Sequence, residues 1–123
     1  MYELDVKREF SSAHFLRGYN GNCSETHGHN WTVEVFIRSE KLDEIGIAVD
    51  FKALKRELDA LLAELDHKVL NELPPFQKTN PTSENIAHYI YMRLSEKLNG
   101  NSVHVHRVRV GENSSSAASY FEN

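Results

Sequence analysis

The chain has 123 residues, of which 40% are apolar and 26% charged, and its formal net charge is −4 with the histidines neutral. This composition is typical of a globular protein, and the length predicts a single domain spanning residues 1–123. The acidic balance argues against a nucleic-acid-binding protein, because no excess of basic residues is available to neutralise phosphates. No run of about 18 apolar residues occurs, so no membrane-spanning segment and no membrane partner are expected.

Cys23 is the only cysteine, so no disulfide can form within the chain, and a reducing compartment is favoured. The first residues, Met1–Asp5, have neither the basic start nor the apolar run of a secretory signal. The sequence therefore predicts a soluble, cytoplasmic protein. Seven histidines in so short a chain are the unusual feature of its composition.

The first predicted elements are two strands. Apolar residues alternate from Tyr2 to Phe10 and again from Asn30 to Arg38, and this period of two indicates half-buried strands. The segment between them is rich in glycine and asparagine, so it is predicted to be a loop.

Two helices are predicted next. Asp50 is expected to cap the first, which should end near Asp66-His67. Its apolar stripe comprises Phe51, Leu54, Leu58, Leu61, Leu62 and Leu65. After three prolines, Thr82 or Ser83 is expected to cap the second helix. The stripe of that helix comprises Ile86, Tyr89, Ile90, Leu94 and Leu98.

Two further strands complete the chain. In the strand predicted from Val103 to Val110 the apolar residues change parity midway, which either a β-bulge or a change in which face is covered would explain. Ala117 to Phe121 is a short last strand. The order of two strands, two helices and two strands predicts an α+β domain, a four-stranded antiparallel sheet with two helices on one face. Its open edges invite pairing with other subunits.

The strongest chemical signal is His27-Gly28-His29, preceded along the chain by His14. In extended backbone, residues i and i+2 point to the same side, so His27 and His29 can address one ion. His14 ends the first strand, and the loop returns the chain beside it. Three imidazoles suit zinc, with the fourth position open as in catalytic sites. The alternative is that these are ordinary surface histidines.

Cys23 has three interpretations that the residues alone leave open. It could be a fourth zinc ligand, which would close the site and make it structural. It could be a free base or nucleophile whose pKa a nearby cation lowers. It could also be a small buried apolar residue.

Two other positions carry ionisable side chains in suggestive places. In Asp66-His67 a carboxylate could orient the neighbouring imidazole, although a histidine at a helix end is the simpler explanation. Glu112 follows Gly111 at the end of the third strand. Its carboxylate could accept two parallel N–H bonds from a planar cyclic amidine, unless it is simply an exposed turn residue.

The remaining histidines are given structural roles. His104-x-His106 is a second His-x-His pair, but no third histidine or cysteine lies near it in sequence, so it is interpreted as strand surface or subunit contact. His88 falls on the polar side of the second helix and is assigned no role.

Taken together, these motifs resemble the 6-pyruvoyltetrahydropterin synthase and 6-carboxytetrahydropterin synthase family over nearly the whole chain. The motifs that carry the resemblance are Phe10-Ser11-Ser12-Ala13-His14, Cys23-x-x-x-His27-Gly28-His29, Ala48-Val49-Asp50-Phe51, Leu65-Asp66-His67-Lys68-Val69-Leu70-Asn71, Asn80-Pro81-Thr82-Ser83-Glu84-Asn85 and Val110-Gly111-Glu112.

The resemblance implies a role for each site residue. It implies that zinc is held by the three histidines His14, His27 and His29. It implies that Cys23 is the base, with Asp66 and His67 completing a catalytic triad. The substrate-binding residues it implies are Glu112, as anchor of the pterin ring, with Thr82 and Ser83.

The resemblance also implies the tunnelling fold, in which strands pair across subunits into a barrel, and a homohexamer with active sites at subunit interfaces. The implied activity is a zinc-dependent lyase that converts 7,8-dihydroneopterin triphosphate to 6-carboxytetrahydropterin for queuosine and 7-deazaguanine synthesis. The three residues between Cys23 and His27 favour this carboxy branch over the pyruvoyl branch, which retains the side chain. A zinc-binding structural module without turnover, and a pterin-binding oligomer that has lost activity, are the alternatives.

Overall fold

The computed structural model describes residues 1–19 and 24–123. Its elements in chain order are β1 (Tyr2–His14), β2 (His27–Ser39), α1 (Phe51–Ala63), α2 (Ser83–Leu98), β3 (Val103–Gly111) and β4 (Ala117–Tyr120). The four strands form one sheet in the order β1-β2-β3-β4, with every neighbouring pair antiparallel. The predicted α+β class and element order are therefore confirmed. None of the described helices is both long and apolar enough to cross a membrane.

β1 and β2 pair along their whole length, and both are longer than the apolar alternation predicted. Tyr2 lies opposite Ser39 at one end, and His14 lies opposite His27 at the other. The added residues are serines, histidines, an alanine and a glycine, which give no alternating hydrophobic signal. The histidine motif consequently belongs to the sheet and not to the loop.

The predicted irregularity in β3 is a register shift opposite Phe36 and Ile37. Phe36 pairs with Arg107 while Ile37 pairs with Val105, so His106 is the extra residue. This bulge confirms the first explanation given for the change of parity.

The core lies between one face of the sheet and the two helices. It includes Trp31, Val33, Ile37, Leu54, Leu58, Leu61, Ile86, Ile90, Val105, Val108 and Val110. Asp50 caps α1 through a hydrogen bond from the Lys52 N–H, and Thr82 caps α2 through one from the Asn85 N–H, as predicted. Phe51 was expected in the buried stripe and is instead 51% exposed, because it borders an open hollow beside Tyr2 and Ile47.

α1 ends at Ala63, earlier than the predicted end near Asp66-His67. The chain leaves the helix because the next residues lie along the outer edge of β1. The His67 N–H donates to the Ser11 carbonyl at 2.6 Å, and the Ala13 N–H donates to the Lys68 carbonyl at 2.9 Å. His67 has a φ of 55°, a left-handed conformation that side chains other than glycine seldom adopt.

Candidate active site

Three histidines meet where β1 ends and β2 begins. His14 faces His27 across the strand pair, and His29 lies two residues further along β2, on the same side as His27. One ring nitrogen from each of the three lies within 4.8 Å of the others. The Nε2 atoms of His14 and His27 are 3.0 Å apart. The structure thus brings together the three residues that the sequence singled out.

Backbone carbonyls orient two of these rings. The carbonyl of Pro81 lies 2.8 Å from Nδ1 of His14, and that of Glu25 lies 2.7 Å from Nδ1 of His27. Because a carbonyl only accepts, each Nδ1 must carry the proton, and each Nε2 then presents a lone pair to the cluster. Nε2 of His29 is buried and has no hydrogen-bond partner. Convergent lone pairs and an orphaned nitrogen fit a metal ion shared by the three rings.

The surroundings favour the neutral form of two of the three histidines, His14 and His29. Burial lowers the pKa of His14, and the hydrogen bond to the Pro81 carbonyl only partly opposes this effect. Burial likewise lowers the pKa of His29, against the opposing charge of Glu112. Neutral imidazoles are the form that binds a cation, so the same burial favours metal binding.

Trp31 supports the cluster from the core side. Its ring contacts His14 edge-on with centroids 4.8 Å apart, and it contacts His29 in the same manner at 5.1 Å. Its indole N–H donates to the Ser12 carbonyl at 3.0 Å. The wholly buried indole therefore fixes the planes of two of the three imidazoles.

Glu112 lies beside the histidines. Its Oε2 is 3.5 Å from Nε2 of His29. The same carboxylate borders a hollow of about 230 Å³ between the N-terminus of α2 and the β3–β4 turn, which Ser83 and Glu84 also line. Thr82, the cap of α2, follows Pro81, whose carbonyl orients His14. The histidine cluster and the expected ring anchor are therefore adjacent.

Gly111 sets the backbone before Glu112. A β-carbon at this position would lie 2.8 Å from Oγ1 of Thr32 on β2, and 3.1 Å from the carbonyls of Asn113 and Ser116. A larger residue would therefore require a shift of the Thr32 side chain or of the turn.

Asp66 and His67 form a hydrogen-bonded pair on the outer edge of β1. Oδ2 of Asp66 accepts from Nδ1 of His67 at 2.8 Å, and Oδ1 accepts from the Ser11 N–H at 2.8 Å. The hydrogen bond from Ser11, followed by that from His67, lowers the pKa of Asp66. The His67 side chain is 81% exposed, and within the described residues it makes no contact with the three histidines. Cys23 lies outside the described residues.

Comparison with known proteins places the chain in a family. The family described as 6-pyruvoyl tetrahydropterin synthase matches residues 3–123. The chain belongs to this family. Membership confirms the resemblance stated from the motifs and the expectation of an enzyme of this kind.

Relatives within the family support a more detailed comparison. A protein of Archaeoglobus fulgidus provisionally named 6-carboxy-5,6,7,8-tetrahydropterin synthase is 43% identical over 89% of this chain and 87% of its own length. The 6-carboxy-5,6,7,8-tetrahydropterin synthase of Synechocystis is 38% identical over 98% and 94%. A Pyrococcus furiosus relative named dihydroneopterin monophosphate aldolase is 35% identical over 76% and 75%.

A solved structure in the family has the same fold. The 6-pyruvoyl tetrahydropterin synthase of Caenorhabditis elegans superimposes with a TM-score of 0.88, at 27% identity, covering 99% of this chain and 96% of that one. This agreement confirms the predicted fold class.

Two asparagines without a predicted role, Asn71 and Asn80, guide the chain of this protein after His14. The Asn71 side chain accepts from the Phe15 N–H at 3.0 Å and donates to the Phe15 carbonyl at 2.9 Å. Asn80 makes the same two bonds with Arg17, both at 3.0 Å. Each amide thus makes the two backbone hydrogen bonds that a neighbouring strand would otherwise make. Their recurrence in the family motifs was the available signal, but composition and periodicity gave none.

The other histidines remain apart from the cluster. The rings of His104 and His106 have centroids 6.4 Å apart, and no third metal-ligating side chain joins them in the ranges that the structure describes. His88 lies against the Tyr120 ring, with centroids 4.4 Å apart. A larger hollow of about 470 Å³, bordered by Lys7, Glu34 and other residues, lies on the sheet face opposite the helices and does not include the histidines.

Proposed function

We propose that this family member is a zinc-dependent lyase that converts 7,8-dihydroneopterin triphosphate and one water molecule to 6-carboxy-5,6,7,8-tetrahydropterin, acetaldehyde and triphosphate. The observation that carries the proposal is the convergence of three oriented imidazoles beside Glu112. The carboxy product is supported by the names of the relatives at 43% and 38% identity. This product would supply queuosine and 7-deazaguanine synthesis in the cytoplasm.

The metal ligands in this proposal are Nε2 of His14, of His27 and of His29. A zinc ion held there would supply Lewis-acid polarisation of the substrate's side-chain hydroxyl oxygens. Nitrogen ligands from three histidines, with a fourth position open, are typical of catalytic zinc. The carbonyls of Pro81 and Glu25 hold the rings in the tautomer that this role requires.

Glu112 is proposed to bind the pterin ring. Its carboxylate can accept two parallel hydrogen bonds from the ring's amide N–H and its neighbouring amino group, an arrangement that favours a planar partner. Thr82 and Ser83, at the positive end of the α2 dipole, would contact the same substrate.

Proton transfer is assigned to Cys23 and His67, and Asp66 is assigned to orient His67. Cys23 as thiolate would take a proton from the substrate side chain, and His67 would return or accept one. Asp66 holds Nδ1–H of His67 by a 2.8 Å hydrogen bond, so Nε2 of His67 is the atom available for exchange.

Removal of Cys23 should abolish turnover while the zinc content stays near that of the wild type. Loss of zinc from Cys23→Ala would instead identify the thiol as a ligand.

Assembly into a homohexamer is part of the proposal. β4 and most of β1 leave sheet edges open, and such edges pair readily with strands of other copies. The 81% exposure of His67 in one chain supports an active site completed at a subunit interface. Native mass spectrometry would test the assembly, and a monomer at assay concentration would contradict it.

Product analysis tests the reaction. The zinc-loaded protein is incubated with 7,8-dihydroneopterin triphosphate, and in parallel with the monophosphate, and the products are identified by mass. Acetaldehyde with the 6-carboxy product is expected. A 6-pyruvoyl product without acetaldehyde would assign the pyruvoyl reaction instead. Turnover of the monophosphate alone would assign the aldolase activity for which the Pyrococcus furiosus relative is named. A zinc-loaded protein that acts on neither substrate would contradict catalysis.

A further inference from the structure

Ser12 lies in β1 between the two halves of the proposed active site. Its side chain is buried, with 6% of the residue exposed, and it faces the core two residues before His14. The hydroxyl donates to the Leu65 carbonyl and accepts from the Lys68 N–H at 3.2 Å. These two groups lie on either side of Asp66-His67. One hydroxyl therefore spans the turn that carries the pair.

The neighbouring backbone holds the same turn from the strand edge. The Ser11 N–H donates to Asp66, the Ser11 carbonyl accepts from the His67 N–H, and the Ala13 N–H donates to the Lys68 carbonyl. The Ser12 carbonyl points the other way, toward β2, and accepts from the indole of Trp31, which contacts two histidines of the cluster. Ser12 thus contacts both the Asp66–His67 turn and the support of the metal site.

We propose that Ser12 is a positioning residue that fixes Asp66 and His67 relative to the histidine cluster. The inference rests on the proposed function, because it assigns Ser12 a task only if His67 transfers protons. His67 has a left-handed backbone conformation, and the Ser12 hydroxyl bonds the backbone on both sides of the Asp66-His67 turn. Without this hydroxyl the turn can adopt additional conformations. Misplacement of a catalytic group by about 1 Å costs roughly 100-fold in rate.

The test is Ser12→Ala in the full chain loaded with zinc. The kcat is expected to fall by about 10- to 100-fold, while KM and zinc content stay unchanged because Glu112 and the metal ligands are untouched. Hydrogen exchange at the His67 N–H should be faster, which reports on the turn directly. If the alanine variant folds poorly, the isosteric pair Ser12→Thr and Ser12→Val provides the same comparison. The threonine variant keeps the hydroxyl and should keep kcat, whereas the valine variant should not.

Ser39 offers a matched control at the far end of β2. It is 1% exposed, and its hydroxyl donates to the Lys41 carbonyl at 2.8 Å and accepts from the Lys41 N–H at 3.3 Å. Ser39→Ala removes the same kind of buried hydroxyl from a turn with no catalytic residue. It should lower stability in the same way and leave kcat unchanged.

Two failures are distinguishable. Full turnover in His67→Ala would overturn the proposed proton transfer and the role of Ser12 with it. Full turnover in Ser12→Ala beside an inactive His67→Ala would overturn only the role of Ser12. If Ser39→Ala lost as much kcat as Ser12→Ala, general destabilisation would explain both losses. This result would also overturn the inference.

Discussion

Two His-x-His pairs lie on adjacent strands of one sheet, and only one of them belongs to a candidate metal site. His27 and His29 have ring centroids 4.9 Å apart and face His14 on β1. His104 and His106 have centroids 6.4 Å apart, and the bulge in β3 falls at His106. The spacing in sequence is identical, so the difference comes from the surroundings.

Those surroundings differ in charge and in hydrogen bonding. Burial lowers the pKa of His106, and the next largest effect is the positive charge of Arg38, which would also repel a metal cation. His27 has a carbonyl to orient its ring, and a third imidazole lies 3.0 Å away. A pair of histidines therefore becomes a metal site when a third ligand faces it across the strand and acceptors fix the tautomers.

The largest expected effect separates the two pairs by metal content. His27→Ala should lose its zinc and its turnover, because two imidazoles bind zinc far more weakly than three. His104→Ala should retain both, because His104 lies outside the three-histidine cluster. Elemental analysis of the purified proteins, together with the product assay, measures the difference. Equal zinc in the two variants would contradict the assignment of the site.

The acidic neighbours of the two pairs should differ as well. Glu112→Gln removes the charge that would bind the pterin ring, and the loss of a charge-assisted hydrogen bond of about 1.5–3 kcal/mol raises KM by roughly 10- to 100-fold. Glu3 instead pairs with Arg38 at 2.9 Å, so Glu3→Gln should leave KM unchanged. Steady-state kinetics test both variants. An unaltered KM in Glu112→Gln would exclude it as the ring anchor.

The pH dependence of stability sharpens the comparison further. Burial lowers the pKa of His14 and His29 in the folded state, so the metal-free unfolded chain binds protons more readily. The free energy of unfolding should therefore fall as the pH decreases from 7 through the ordinary histidine pKa of about 6.5 toward 5. Urea unfolding at both pH values measures it. His29→Asn should flatten the dependence more than His106→Asn, and a stability that rises toward pH 5 would contradict the sign.

The smallest expected effect on stability concerns His67, which belongs to neither pair. Its left-handed φ of 55° costs a side chain about 1–2 kcal/mol, and asparagine tolerates this conformation better. His67→Asn should raise the free energy of unfolding by up to about 1 kcal/mol while turnover is lost. His104→Asn, at a strand position, provides the control and should give no increase. A less stable His67→Asn would show that the backbone is not strained there.

The sequence predicted the elements that have a hydrophobic period, and it missed those that polar contacts define. The stripes of α1 and α2 and the parity change in β3 each left a pattern in the apolar residues. The end of α1 did not, because the turn at Asp66-His67 is held by backbone hydrogen bonds to Ser11 and Ala13, which are distant in sequence. Phe51 was wrongly assigned to the buried stripe, because helical spacing in the sequence does not show which positions border an open hollow.

The candidate site, like the fold, was predictable from the sequence only in part. The three histidines could be grouped from strand parity and their order along the chain. The carbonyls of Pro81 and Glu25 that orient them could not, because any residue supplies a carbonyl. The amide contacts of Asn71 and Asn80 depend on chain folding over more than 50 residues and equally leave no local pattern.

The missing β-carbon at Gly111 has a consequence for how this enzyme tolerates change. A methyl group there would lie 2.8 Å from Oγ1 of Thr32 and 3.1 Å from two carbonyls of the β3–β4 turn, so the Thr32 side chain or the turn would have to shift. Glu112 follows directly, so its carboxylate would move although its own chemistry was intact. Selection should therefore remove substitutions of Gly111 as strictly as substitutions of Glu112. A screen for lost substrate affinity would recover both positions.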